Sequence, residues 1–207
     1  MSVVSSRRVV PTLIRCAAVL WLALWIPAYW HAWGVANFLH LCDIAVLLAC
    51  VGLAIESPLL ISSQAVASLV IDLIWTLDVA WRAVSGRQLI GGTEYLFDSR
   101  FPLWVRLLTL FHVALPFLLL WAMTRTGYDR RALRLQSGIA FAALLAARFA
   151  GAQANINFVF ADPFHHTWGP APVHIAVIFL FLVVVFYFPT HLLLARLFRQ
   201  PGESGTI

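Results

Sequence analysis

Six long apolar stretches divide the chain, over residues 9–30, 35–55, 59–81, 101–123, 133–153 and 173–195. Each has about the 20 residues that a helix needs to cross some ~30 Å of hydrocarbon. The strict alternation of a membrane barrel strand is absent, so the stretches are expected to be helices, which satisfy their own backbone groups in lipid. The pattern predicts an all-α, polytopic transmembrane helix bundle of about six spans, one integral membrane domain over residues 1–207. Arg7 and Arg8 ahead of the first stretch give it the flank of a signal peptide. It is too long and too rich in Trp for one and has no small-x-small cleavage site, so it reads as a retained span. Most connections are short. Two are not: residues 84–100, with Gly91-Gly92-Thr93-Glu94-Tyr95, and residues 155–174, from Asn155 to His174. Connections of that length in a bundle are usually functional or folded back onto it.

Composition agrees with the pattern. Hydrophobic residues make up 62% of the chain and charged residues 11%, with a mean hydropathy of +0.88. Soluble domains have roughly 45–50% and about 25%. A water-soluble globule, a disordered tail and a nucleic-acid-binding module are thereby excluded, and the net charge of +5 is not a sign of DNA affinity. All 14 cations are Arg. Nine of them (Arg7, Arg8, Arg15, Arg125, Arg130, Arg131, Arg134, Arg196 and Arg199) fall on the side of the N-terminus, and Arg82, Arg87, Arg100 and Arg106 fall on the other. The positive-inside rule then predicts that both termini are cytoplasmic. Cys16, Cys42 and Cys50 all lie within apolar stretches, which implies no disulfide framework.

Ionisable groups inside spans are costly and mark candidate sites. Asp43, Asp72, Asp78, Arg148, His40, His112, His174 and His191 are such groups, with Cys42 as a candidate nucleophile. Some have a purely structural interpretation. Asp78 and Arg82 are four apart on one helix and can neutralise each other. Arg148 can pair with Asp72 or Asp43 across the bundle, and His191 can be an interfacial histidine. Most of the remaining groups, together with His31, Asn37, Asn155 and Asn157, fall near the outer helix ends, so a site there is expected to open to the outer leaflet. On a continuous helix, Asn37, His40 and Asp43 share one face. Cys42 is turned about 100° from Asp43, towards Phe38, Ala45 and Ala49. A base for the Cys42 thiol is therefore better sought on another helix, at His112. The alternative is that Cys42 is a small buried packing residue.

His40-Leu41-Cys42-Asp43, Leu110-Phe111-His112, Asn157-Phe158-Val159-Phe160, Asp162-Pro163 and Trp168-Gly169-Pro170-Ala171-Pro172 resemble motifs of a family of bacterial integral membrane proteins. That family resembles eukaryotic multi-span lipid enzymes. These are acyltransferases of ether lysophospholipids with a Cys–His pair and, more distantly, androgen-induced hydrolases of fatty-acid esters with a Thr–His pair. The resemblance spans roughly residues 35–180 and implies a bacterial cell-membrane protein acting on a membrane lipid, with Cys42 as nucleophile and His112 as catalytic histidine. The relatives tend to have more spans. The chain also resembles bacterial membrane proteins with an Asn-Ile-Asn-aromatic loop, to which no activity attaches.

The leading expectation is thus an intramembrane lipid acyl hydrolase or acyltransferase, with no cofactor. Asp43 or Asp78 would orient His112, Asn155 or Asn157 would donate to the oxyanion, and His40 and His174 would support the pocket. A second expectation is a membrane carrier whose buried polar residues line a pathway. A third is a metal protein, with His40 and His112 holding a b-type haem or His165, His166 and His174 holding zinc or copper.

Overall fold

The computed structural model describes residues 9–198; Arg7, Arg8 and Arg199 of the charge count lie outside them. In chain order the helices are Thr12–Trp33 (α1), Leu41–Ala54 (α2), Pro58–Ser85 (α3), Leu103–Leu108 (α4), Phe111–Thr126 (α5), Ala132–Ala147 (α6), Ala171–Phe181 (α7) and Phe188–Leu197 (α8). No strand occurs among the described residues. Helices α4 and α5 form one bent rod across Thr109, and α7 and α8 are joined through a π-helical stretch, Leu182–Tyr187. Among the described residues, five segments are long and apolar enough to cross a membrane: Thr12–Trp33, Pro58–Ser85, Leu103–Thr126, Ala132–Ala150 and Ala171–Leu197. Leu13, Leu20 and Leu24 on α1 and Leu180 and Phe181 on α7 face outward and are more than half exposed, as lipid-facing positions of an integral membrane protein are.

Helix α3 is the spine, packed against α2, α5, α6 and α8. Its start follows from local chemistry: Ser57 caps it by accepting from the Leu60 N–H at 3.3 Å, and Pro58 opens it. The α2–α3 crossing is close because Gly52 has no side chain; a Cβ there would lie 2.9 Å from the Leu60 Cβ. Trp25, Ala45, Ala49, Leu53, Ile61, Ala65, Leu119 and Ala122 fill the core around this crossing. The predicted third span extends further than its apolar run, to Ser85, where Gly86 at φ +70 ends it.

The second apolar stretch is not one helix. Gly34 turns the chain at φ +79, residues Val35–Leu39 form a short 3-10 segment, and His40 is extended before α2 begins at Leu41. With 14 residues, α2 is about 21 Å long, short of a full span. The break is held by Asn157 from the far connection. The Leu41 N–H donates to Asn157 Oδ1 at 2.9 Å, and Asn157 Nδ2 donates to the Leu39 carbonyl at 2.7 Å. One side-chain amide stands in for the missing helical partners, which backbone at membrane depth requires. The break also moves the start of α2 inward. Cys42 lies about 18 Å from the other end of α2, and Asp72 on the antiparallel α3 lies about 21 Å from either end of its helix. The residues expected at a helix end are therefore close to mid-bundle.

The long connection 151–170 is knotted onto itself by two acceptors. Asn155 takes the N–H groups of Phe160 and Ala161. Asp162 takes those of Phe164 and His166, at 2.9 and 2.8 Å, and the Trp168 indole N–H at 3.2 Å. Burial acts to raise the Asp162 carboxyl, but these donors outweigh it and hold it below the usual carboxylate range. A depressed folded value stabilises the loop above the ordinary aspartate range, and that stabilisation is lost as pH falls through the folded value. Amide exchange at residues 162–168 should therefore accelerate on acidification, and Asp162→Asn should be equally fast at all pH values from 3 to 7, roughly the range that spans aspartate titration.

Candidate active-site cavity

One cavity of about 460 Å³ lies among α1, α2, α3, α5 and the connection 86–102. That is a usual size for a small-molecule pocket. Its polar wall holds Asn37, His40, Cys42, Asp43, Thr109 and His112; Tyr29, Trp33, Trp75, Tyr95 and Phe101 supply aromatic surface, and Glu94, Asp98 and Arg100 also line it. The break before α2 is what gathers these groups. Asn37, His40, Cys42 and Asp43 all line one space; Cys42 and Asp43 keep their helical offset within α2 and both reach it from the first turn. Ala45 and Ala49 are buried as helix-packing positions.

Cys42 and Asp43 sit in the first turn of α2, where the helix itself offers no acceptor for their N–H groups. The positive end of the helix dipole lies at this point. The Cys42 Sγ is 3.9 Å from Asp43 Oδ1, and Asn37 Nδ2 donates to Asp43 Oδ2 at 2.6 Å. His112 is fixed from two sides. Its Nδ1 is 2.8 Å from the Thr109 carbonyl at the α4–α5 junction, an oxygen that also accepts the His112 backbone N–H at 3.2 Å. Its ring stacks on Trp75, with centroids 4.3 Å apart and planes 10° apart, and on Phe111. With Nδ1–H donated to the carbonyl, Nε2 carries the free lone pair. The Trp75 indole N–H donates to the Tyr95 hydroxyl at 3.0 Å, which ties the connection to this wall. Burial pushes the Tyr95 phenol above its ordinary value, so it remains a neutral hydroxyl. Beside it, the Arg100 guanidinium holds the Asp98 carboxyl below the usual range, at 2.7 Å.

Other expected site residues lie elsewhere. Asp78 neither orients His112 nor pairs with Arg82. It gathers the N–H groups of Leu89, Ile90 and Gly91 and the Thr93 hydroxyl, so it anchors the connection that lines the cavity. Arg82 instead lies over the Phe97 ring at 4.9 Å. Asn155 and Asn157 are spent on backbone, as described, and are not oxyanion donors. His174 is buried outside the cavity with both nitrogens engaged, by the Trp168 N–H and the Phe158 carbonyl. His165 and His166 are exposed, so the three do not converge on a metal. Among the described residues no group of three or more His, Cys, Asp or Glu could hold one. Arg148 pairs with neither Asp72 nor Asp43; it donates to the Val159 carbonyl at 3.1 Å and lies 3.8 Å over the Phe160 ring. His191 bonds to Tyr128 at 2.7 Å, far from the cavity.

Thr109, Trp75 and Tyr95 were not among the expected site residues. The Thr three residues before His112 was the available signal for the first of them. The chain matches no protein-family model, and no curated protein or solved structure matches it either.

Proposed function

We propose that the protein is a lipid acyl hydrolase or acyltransferase of the bacterial cell membrane, with both termini cytoplasmic and the cavity opening to the outer leaflet. One observation carries this reading: Cys42 and His112 line the same cavity, and His112 is held with its Nε2 free. Aromatic walls suit an acyl chain. His112 Nε2 takes the Cys42 thiol proton, and the thiolate attacks the ester carbonyl carbon. The oxyanion lies at the start of α2, where the Cys42 and Asp43 N–H groups are available as donors. The C–O bond then breaks, and the imidazolium returns its proton to the leaving alcohol. Water or the hydroxyl of an acceptor lipid, deprotonated in turn by His112, releases the acyl group from the thioester and restores the thiol. His40 and Asp43 complete the polar wall. No cofactor is required.

The test is intact-protein mass spectrometry after incubation with mixed phospholipid and neutral-ester vesicles. An acyl adduct on Cys42 that disappears with hydroxylamine supports the assignment. An unmodified Cys42 under turnover overturns it, and a Soret band from the purified protein would instead assign the His40 and His112 imidazoles to a haem.

A further inference from the structure

We infer that a polar path runs along α3 from the floor of the cavity to the opposite face of the bundle, and that it passes protons with Asp72 as the carrying group. The acyl chemistry above has no use for Asp72, which is 1% exposed at the midpoint of the longest helix. Its Oδ2 has no protein partner.

Asp72 is not isolated. Ser68 and Gln64 follow at successive four-residue steps, so the three form one stripe along α3. Ser68 Oγ and Gln64 Oε1 are also buried without a partner. Gln64 lies about two turns from the start of α3, and Gln136 about one turn from the start of α6. Thr190 lies about two turns before the end of α8, so the three share a depth. The Gln136 Oε1 and Thr190 Oγ1 atoms are again unpartnered. Gln136 reaches the Tyr187 hydroxyl at 3.4 Å, and Gln64 reaches Ser63 at 2.8 Å. Beyond them Ser62 holds the Asp129 N–H, and at that face the buried Tyr128 bonds to the partly exposed His191.

The other end of the stripe approaches the cavity: Trp75, about one turn along α3 from Asp72, lines it. Of the titratable groups that line the cavity, Cys42 is near enough to Asp72 for their charges to interact; Gln136 on α6 and Thr190 on α8 are buried on helices packed against α3. These five unpartnered buried oxygens on α3, α6 and α8 are unusual, because each is costly in hydrocarbon. Oxygen-lined interior sites of this kind hold water that makes two to four hydrogen bonds, and carboxyls in chains of such groups are proton relays. A proton arriving at Asp72 from the cavity passes along hydrogen-bonded water past Ser68 and Gln64 and leaves beside His191.

The full-length protein is reconstituted in phosphatidylcholine–phosphatidylglycerol liposomes containing a pH-sensitive dye, without ester substrate. A potassium gradient with valinomycin sets the potential. Proton flux is expected to exceed that of protein-free liposomes several-fold. Asp72→Asn and Gln64→Leu should each return it to the protein-free rate, and the lipid-facing Leu73→Ala should not. Each variant is checked for a monodisperse elution profile, and Ser68→Ala replaces any that aggregates. Wild-type flux equal to that of protein-free liposomes overturns the proposal, as does wild-type flux in well-folded Asp72→Asn or Gln64→Leu. Because no ester is present, either result is independent of the acyl chemistry at Cys42.

Discussion

Cys42→Ala is expected to abolish acyl hydrolysis and transfer, and His112→Ala to lower the rate by roughly 10²–10⁴, the range for loss of a general base. His191→Ala should stay within a few-fold, since its partner is Tyr128 at the other end of the bundle. The same chemistry predicts selective labelling. Cys16 is exposed on the lipid-facing α1, Cys50 is buried in the core, and Cys42 faces the cavity. A lipophilic thiol-directed probe should modify Cys42 far faster than the other two, because a thiol without a base stays protonated in lipid. That preference should vanish in His112→Ala. Cys42→Ser should retain weak activity, since a histidine can also activate a hydroxyl. Full activity in Cys42→Ala, or equal labelling of all three thiols with no effect of His112, would leave Cys42 as a packing residue.

The helices were legible because apolar runs of that length have few other fates. Cys42 and His112, which line one cavity, stood out in the sequence because ionisable and reactive side chains in lipid contrast with their neighbours. The break at His40 was not. Residues 35–40 read as part of one apolar stretch despite Asn37 and His40, and the interruption is held by Asn157, 116 residues away from Leu41. Partners of Asp78 and Arg148 were hidden for a related reason. Both side chains bond backbone groups of folded-back connections, and backbone donors and acceptors carry no sequence signature. Charge-to-charge pairing is the natural guess from sequence, but a loop packed into the bundle offers nearer and less costly partners.

Asn157 should be the most sensitive polar residue outside the cavity. Its amide satisfies the Leu41 N–H and the Leu39 carbonyl together, and each group left unpaired in the interior costs about 1–3 kcal/mol. Asn157→Gly removes both bonds but tolerates the left-handed backbone at φ +53. It should therefore destabilise the protein by about 2–6 kcal/mol, with both groups unpaired. Asn157→Leu loses the same bonds and adds a backbone penalty of about 1–2 kcal/mol, because Leu lacks the short polar side chain with which Asn tolerates positive φ. Both should lower the melting temperature of the detergent-purified protein, the second more than the first. Freed of its tether, the start of α2 no longer holds Cys42 against the cavity, so probe labelling of Cys42 should slow even below the melting range. Asn155→Gly, which loosens only the connection 151–170, should slow labelling much less. If Asn157→Gly melts with the parent protein and labels Cys42 at the same rate, the broken helix owes its geometry to packing around Gly34 and not to the amide bridge.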